Sequence, residues 1–407
     1  MKWIKVRLDD AGGVAAPKAQ LESVYASDMA FEPDERRQRI LPDGVVELAV
    51  TASPYMVHAK INLPLYGTIW VMADNMGQGY REDFVDFVSE ATRTYLHEAK
   101  KRSEGILLPP GAQAHLDAAA EYKHLADRGQ STPENRLYAL SHAIYAAEAA
   151  LFESARLKVF ANPRDDLKLG CNFFRYTSPG ARYAKFFTQA FDFATLPFYV
   201  NRTVPKEGRY DYRYIDAALE YLLSKNITPK GHPLWFGHES ANPKWLFGLD
   251  FETLKKKAHD IAYHHVNTYK DTVPVWDAMN EAHDWANCFE LNHGQLIGLT
   301  RVCCDALKEA DEKATSVVNI CLPFAEYVAG RYNCYGALPD RLRSPLSYLR
   351  AVIEAGVNFD VAGIQLYFPA RDMVAVDRML SVFESLGKPI HITEMGVNGG
   401  ARGFAAA

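Results

Sequence analysis

Apolar residues recur along this chain with two different spacings, and the changes between them divide it into three stretches. Up to about residue 75 they come as short runs separated by Pro and Gly, and Val45–Val50 and Ile61–Val71 read as strands. From about 80 to 160 the spacing becomes helical. Phe84, Val85, Phe87, Val88, Ala91, Tyr95 and Leu96 share a face, and the Ala-rich run Asn135–Phe160 follows the helix-start signal Ser131-Thr-Pro133-Glu134. Turn residues close this stretch at Asn162-Pro-Arg-Asp-Asp166. From Leu167 onward, runs of strand length alternate with helical patterns. The strands are Leu169–Phe174, Phe193–Val200, Ile227–Trp235, Val273–Asn280, Ser316–Leu322, Val361–Leu366 and Pro389–Thr393. Helices fill the gaps, among them Tyr214–Ser224, Phe251–Tyr269, Gly294–Ala310, Pro345–Ala355 and Met373–Leu386. Repeated β–α units predict a parallel sheet with right-handed crossovers.

The fold expected is therefore α/β, a (β/α)8 TIM barrel that stops one unit short. No eighth strand is legible before the chain ends at Gly399-Gly-Ala-Arg-Gly-Phe-Ala-Ala-Ala, so the sequence is a fragment or the sheet closes another way. The domains expected are a β-rich N-terminal module over 1–75, a helical connecting region over 76–166 and the barrel over 167–407. The first of these is a candidate carbohydrate-binding or packing module.

Two of the strands share one grammar. Val273-Pro-Val-Trp276-Asp277-Ala-Met-Asn280-Glu281 is an apolar run that ends abruptly in Asn-Glu. Pro389-Ile-His-Ile-Thr393-Glu394 likewise ends in one glutamate. Ligands of α/β folds bind at the carboxyl ends of the strands, so a barrel would bring these two distant glutamates to one mouth. Cleavage of a glycosidic bond needs such a pair: one acid protonates the leaving oxygen while the second carboxylate attacks or stabilises the sugar cation. Asn280 suits a neighbour that hydrogen-bonds a sugar hydroxyl. A single strand-end glutamate is equally well explained as a helix cap or a surface ion pair; two in this setting are not.

Composition narrows the field. With 45 basic and 50 acidic residues, a net charge of −5 and no basic block, nucleic acid is not an expected partner. No run of about 18 apolar residues is present, so a membrane span is not expected. Six cysteines without a CxxC pair imply neither a disulfide framework nor zinc, and Cys171 and Cys321, within apolar runs, read as buried free thiols. His259, His264 and His265 share a predicted helix, but the five-residue step between the first two takes them off one face. Neither a metal nor a cofactor is expected. Met1 to Asp10 is too charged for a secretory leader, which makes the chain cytoplasmic by default and exported only if the N-terminus is incomplete. Oligomeric state is not legible.

Trp276-Asp-Ala-Met-Asn280-Glu281-Ala resembles the Trp-Asp-Val-Val-Asn-Glu-Ala motif of family 10 glycoside hydrolases, the β-1,4-xylanase family of the (β/α)8 glycosidase clan. Gly231-His232-Pro-Leu234-Trp235 is similar to that family's Gly-His-Thr-Leu-Val-Trp-His strand, Asn242-Pro-Lys-Trp245 to its Pro-x-Trp, and Ile392-Thr-Glu394-Met to its Ile-Thr-Glu-Leu. The likeness spans roughly residues 167–396. It implies Glu281 as acid/base, Glu394 as nucleophile, His232 on the sugar at the cleavage point and Asn280 on its 2-hydroxyl. Gln365 and Tyr367 stand at the family's Gln-x-His, so Tyr367 replaces the histidine that orients the nucleophile. Where the family's second strand ends in Asn-Glu-Met-Lys, this chain has Leu196-Pro-Phe198-Tyr199-Val200 and lacks those polar contacts. Trp235 and Trp245 offer flat faces for stacking sugar rings, with packing as buried aromatics the competing reading.

The function expected is a retaining glycosidase that hydrolyses β-1,4 linkages of xylan or xylo-oligosaccharides. The competing readings are a clan-related β-glycosidase of other or exo specificity, and a non-catalytic carbohydrate-binding protein with an incomplete barrel.

Overall fold

Seven strands, each followed through a crossover by the next, form one parallel sheet in the computed structural model, which describes residues 1–35, 37–164, 166–283, 286–330, 342–367 and 370–396. They are β1 (Gly170–Asn172), β2 (Phe193–Pro197), β3 (Thr228–His232), β4 (Val275–Asn280), β5 (Thr315–Ile320), β6 (Val361–Tyr367) and β7 (Ile390–Gly396). Their order in the sheet is their order in the chain, and every neighbouring pair is parallel. This is the nearly closed (β/α) barrel that the alternation of strands and helices predicts.

The outer helices bury one apolar face each. Phe251–Thr268, capped by the Asp250 carboxylate, turns Leu254, Ala258, Ile261 and Val266 inward. His293–Ala310 starts at a reciprocal capping box between Asn292 and Gln295 and buries Leu296, Leu299, Cys303 and Leu307. Inside, β3 admits its neighbour only because it carries a glycine. A Cβ on Gly231 would lie 2.0 Å from Trp276 Cε3, so the fully buried indole packs across bare backbone. Trp276 donates from Nε1 to the Val273 carbonyl at 2.9 Å, which fixes the ring at the start of β4.

The chain divides into two compact units. The barrel strands belong to one, made of residues 166–323, 332–368 and 383–407; the other comprises 1–165, 324–331 and 369–382. In the latter, a four-stranded and a three-stranded sheet accompany the helices Phe87–Ser103, Pro110–Asp127 and Pro133–Ala161. Residues of both the β-rich and the helical stretch of the sequence therefore fall within one unit.

Several expectations change. The run Ile61–Val71 is not one strand: Met56–Leu63 and Gly67–Ala73 pair antiparallel around a turn at Pro64, Leu65 and Tyr66. Helix Pro110–Asp127 buries only Ala112 and Ala119, so its apolar spacing is faint in the sequence. Glu394 lies within β7 rather than beyond it. Cys171 is exposed on β1, an edge of the sheet, whereas Cys321 is buried. The chain end at Gly399–Ala407, from which the missing eighth strand was inferred, lies outside the described residues. No helix among the described residues is long and apolar enough to cross a membrane.

Candidate active site

The carboxyl ends of β3 to β7 carry a connected set of polar side chains. Asp277 on β4 is fully buried between two residues of β3: its Oδ1 lies 2.8 Å from Lys230 Nζ and its Oδ2 lies 2.6 Å from His232 Nδ1. Burial pushes the Asp277 carboxyl up, but Lys230 and His232 outweigh it and hold it below the usual carboxylate range. A carboxylate only accepts, so His232 carries its proton on Nδ1 and leaves Nε2 as the free ring nitrogen.

Glu281 follows β4 with φ of 55°, a left-handed conformation uncommon for a side-chain-bearing residue, and this turns the chain out of the sheet. Its own amide donates to the Asn319 carbonyl at 2.8 Å and that of Asn280 to the Trp235 carbonyl at 2.9 Å, which holds the turn. The residue is 6 % exposed. Gln365 on β6 donates from Nε2 to Glu281 Oε1 at 2.6 Å, and the other oxygen, Oε2, has no hydrogen-bond partner among the described residues. Burial raises the carboxyl to about 7. The Gln365 hydrogen bond works against that rise, the charge of Glu394 adds to it, and His232 and Asn280 oppose it.

Glu394 sits in a different environment. It is partly exposed and accepts two hydrogen bonds, from Asn319 Nδ2 at 3.1 Å and from Tyr367 Oη at 2.9 Å. The same Asn319 nitrogen donates to Asn280 Oδ1 at 2.7 Å, and Thr393 donates to Asn319 Oδ1. One amide on β5 thus ties the neighbour of Glu281 to Glu394. The phenols of Tyr367 and Tyr199 are both raised, by burial first and then by Glu394 and Glu281, so both stay protonated. Tyr199 meets the His232 ring edge-on at a centroid distance of 5.6 Å.

Of the residues singled out by sequence, Glu281, Glu394, Asn280, Gln365, Tyr367 and His232 lie in this set. Gln365 bonds the Glu281 carboxyl, which makes it a positioning residue. Trp235 is a correction: at 1 % exposure and against Phe289 at 5.7 Å, its indole has no face open to a sugar and is part of the core. Trp245 is half-buried and lies elsewhere, with Nε1 donating to the Val204 carbonyl at 3.1 Å. His283 is buried, 3.3 Å from Cys321 Sγ, while Asp284 and Trp285 lie outside the described residues. His259 pairs with Glu309, whereas His264 and His265 share the Tyr212 hydroxyl, with His264 also stacked on Tyr210 and His265 also bonded to Thr203; no group of three potential metal ligands occurs among the described residues. Asn319, Asp277, Lys230 and Tyr199 were not foreseen. A polar residue inside an apolar strand run is the only trace that Asn319 and Lys230 leave in the sequence.

The family model described as glycosyl hydrolase family 10 matches residues 178–404, more than half of the chain. Among curated proteins, an endo-1,4-beta-xylanase A of Caldicellulosiruptor saccharolyticus is 28% identical over 208 residues, 48% of this chain and 56% of that protein. An endo-1,4-beta-xylanase/feruloyl esterase of Xylanibacter ruminicola is 26% identical over 215 residues, 47% of this chain and 28% of that protein. The chain thus spans about half the length of the first and less of the second. Among solved structures, native xylanase 10B from Thermotoga maritima is 21% identical with a TM-score of 0.45, covering 58% of this chain and 72% of that one.

Proposed function

The chain belongs to glycosyl hydrolase family 10, and from that premise we propose that it hydrolyses β-1,4 linkages of xylan or xylo-oligosaccharides with retention of configuration. Glu281 gives its proton to the leaving glycosidic oxygen while the Glu394 carboxylate attacks the anomeric carbon. The C–O bond to the leaving group breaks as the bond to Glu394 forms. Glu281, now ionised, takes a proton from water, which displaces the sugar from Glu394 and restores both groups. His232, through its free ring nitrogen, and Asn280 bind hydroxyls of the sugar held between the two glutamates.

The observation that carries this reading is the unlike pair of carboxyls. One is nearly dry and holds its proton to about neutral pH; the other is partly exposed and held by two donors. A carboxyl raised by burial suits the acid, and one held by two donors suits the nucleophile. In the covalent intermediate the Glu394 charge is gone, which removes one cause of the raised Glu281 and lets it act as a base. Xylan as the substrate is supported by the named activities of the matched relatives.

The test is trapping with a 2-deoxy-2-fluoro xyloside, followed by mass mapping of the labelled peptide. A label on Glu394 is expected, and a label on any other residue overturns the assignment. Glu281→Gln should lose hydrolysis of unactivated xylo-oligosaccharides yet still react with aryl glycosides whose leaving groups need no proton. Equal loss on both removes Glu281 from the acid role.

A further inference from the structure

A cavity of about 490 Å3 opens between the loops that follow β2 and β3, apart from the two glutamates. Its lining includes Asn201, Lys206, Glu207, Lys244 and Trp245. The two loops are stitched together across it. Trp245 Nε1 donates to the Val204 carbonyl, and the Asn201 amide nitrogen donates to the Ser240 carbonyl. An indole held by its edge and half-buried loses little freedom when a ligand stacks on it, and a flat aromatic face suits the C–H surface of a pyranose ring. Both loops leave the sheet at the end where His232 closes β3 and Tyr199 follows β2, the end that also carries the candidate active site.

The charge of the lining narrows the ligand. Glu207 is spent on Lys257, whose Nζ lies 2.6 Å from it. Lys206 and Lys244, both exposed, have no carboxylate within 4.0 Å among the described residues. Two ammonium groups without a carboxylate partner thus line the same cavity as Trp245, and a neutral sugar leaves both without a counter-charge. We propose that this cavity is a second saccharide subsite that takes a uronic acid unit of the substrate, its ring on Trp245 and its carboxylate on Lys206 and Lys244. The saccharide class rests on the glycosidase reading above; the acidic character rests on the lining alone.

The full-length chain carrying Glu394→Gln, which suppresses turnover, is titrated calorimetrically with a neutral xylo-oligosaccharide and with the same oligosaccharide bearing one glucuronic acid branch. The acidic ligand is expected to bind about three- to tenfold more tightly, as one or two exposed charge pairs allow. That gap should close in roughly half-molar salt, where charges on the surface are screened. Lys206→Ala combined with Lys244→Ala, two exposed positions, should abolish the gap and leave turnover of a short aryl xyloside unchanged. Equal affinity for both ligands, a gap that survives the double substitution, or equally tight binding of a nucleoside monophosphate overturns the proposal. Failure of the glycosidase reading shows itself separately, as absent turnover of both oligosaccharides by the unsubstituted chain while the affinity gap persists.

Discussion

Gln365 donates to Glu281 from Nε2 at 2.6 Å, and that bond opposes the burial which raises the carboxyl. A donor to a carboxylate favours the ionised form, so its removal has a definite sign. In the unsubstituted chain kcat/KM should fall as pH rises through about 7, where Glu281 loses its proton. Gln365→Leu should move this alkaline limb to higher pH even as it lowers the maximum. A pH–rate profile that stays in place, or moves to lower pH, refutes the link between this amide and the acid.

The same raised carboxyl carries a stability consequence. It titrates at about 7 in the folded chain, against about 4.5 for an ordinary glutamate. The folded state therefore holds the proton more tightly than the unfolded state. The resulting stabilisation is full below the unfolded value and is lost as pH rises through the folded one. Glu281→Gln keeps a neutral side chain that can accept from Gln365 and never ionises. Relative to the unsubstituted chain, it should gain stability between pH 5 and 8, up to about 3 kcal/mol from the size of the shift. Denaturant melts across that range check it, and a difference independent of pH rejects it.

Asn319 is the joint between the two halves of the site, and its seat depends on a glycine. A Cβ on Gly363 would come within 2.7 Å of Asn319 Oδ1 and 2.8 Å of Thr393 Cγ2. Gly363→Ala should therefore displace the amide that bonds Asn280 and Glu394 and reproduce the effect of Asn319→Ala, a fall in kcat on the order of 100-fold. Crowding should also cost about 1–3 kcal/mol in stability. The two substitutions act on one contact, so the double variant should be little worse in kcat than either alone. Multiplicative losses would mean that Gly363 and Asn319 act independently.

How far this site was legible depended on whether a residue's role is local. Glu281 and Glu394 stand out because each interrupts an apolar run, and the alternation of elements already implied a shared barrel mouth. Asn319 sits in a run that reads as an ordinary strand. Its importance arises only where β4, β5 and β7 converge, and no local pattern encodes that. Trp235 was misread for the opposite reason: a tryptophan after a strand reads alike whether it packs inward or faces a sugar, and here it packs on Phe289. The run Ile61–Val71 hid a hairpin because Leu65 and Tyr66 at the turn are apolar. β1 was read over Leu169–Phe174, but only the exposed Gly170–Asn172 forms the strand.

The buried Lys230–Asp277 pair yields the last prediction. Lys230 is 4 % exposed and Asp277 fully buried, and Asp277 also fixes the proton of His232 on Nδ1. Removing one member of a buried pair leaves the other charge dry and uncompensated, so Asp277→Asn should cost about 3–5 kcal/mol. Lys230→Met should cost a similar amount by stranding the carboxylate. The double substitution strands neither charge, and its cost should fall well short of the sum, by roughly 2 kcal/mol or more in a double-mutant cycle. The depressed Asp277 carboxyl gives the pH sense: the pair's contribution is present above the unfolded carboxylate value and is lost as pH falls through the lower folded one. Melts at neutral and acid pH should therefore show the single substitutions approaching the unsubstituted chain in acid. Additive costs at neutral pH, or penalties that grow in acid, would show that the pair does not hold this end of β3 and β4 in the way its geometry implies.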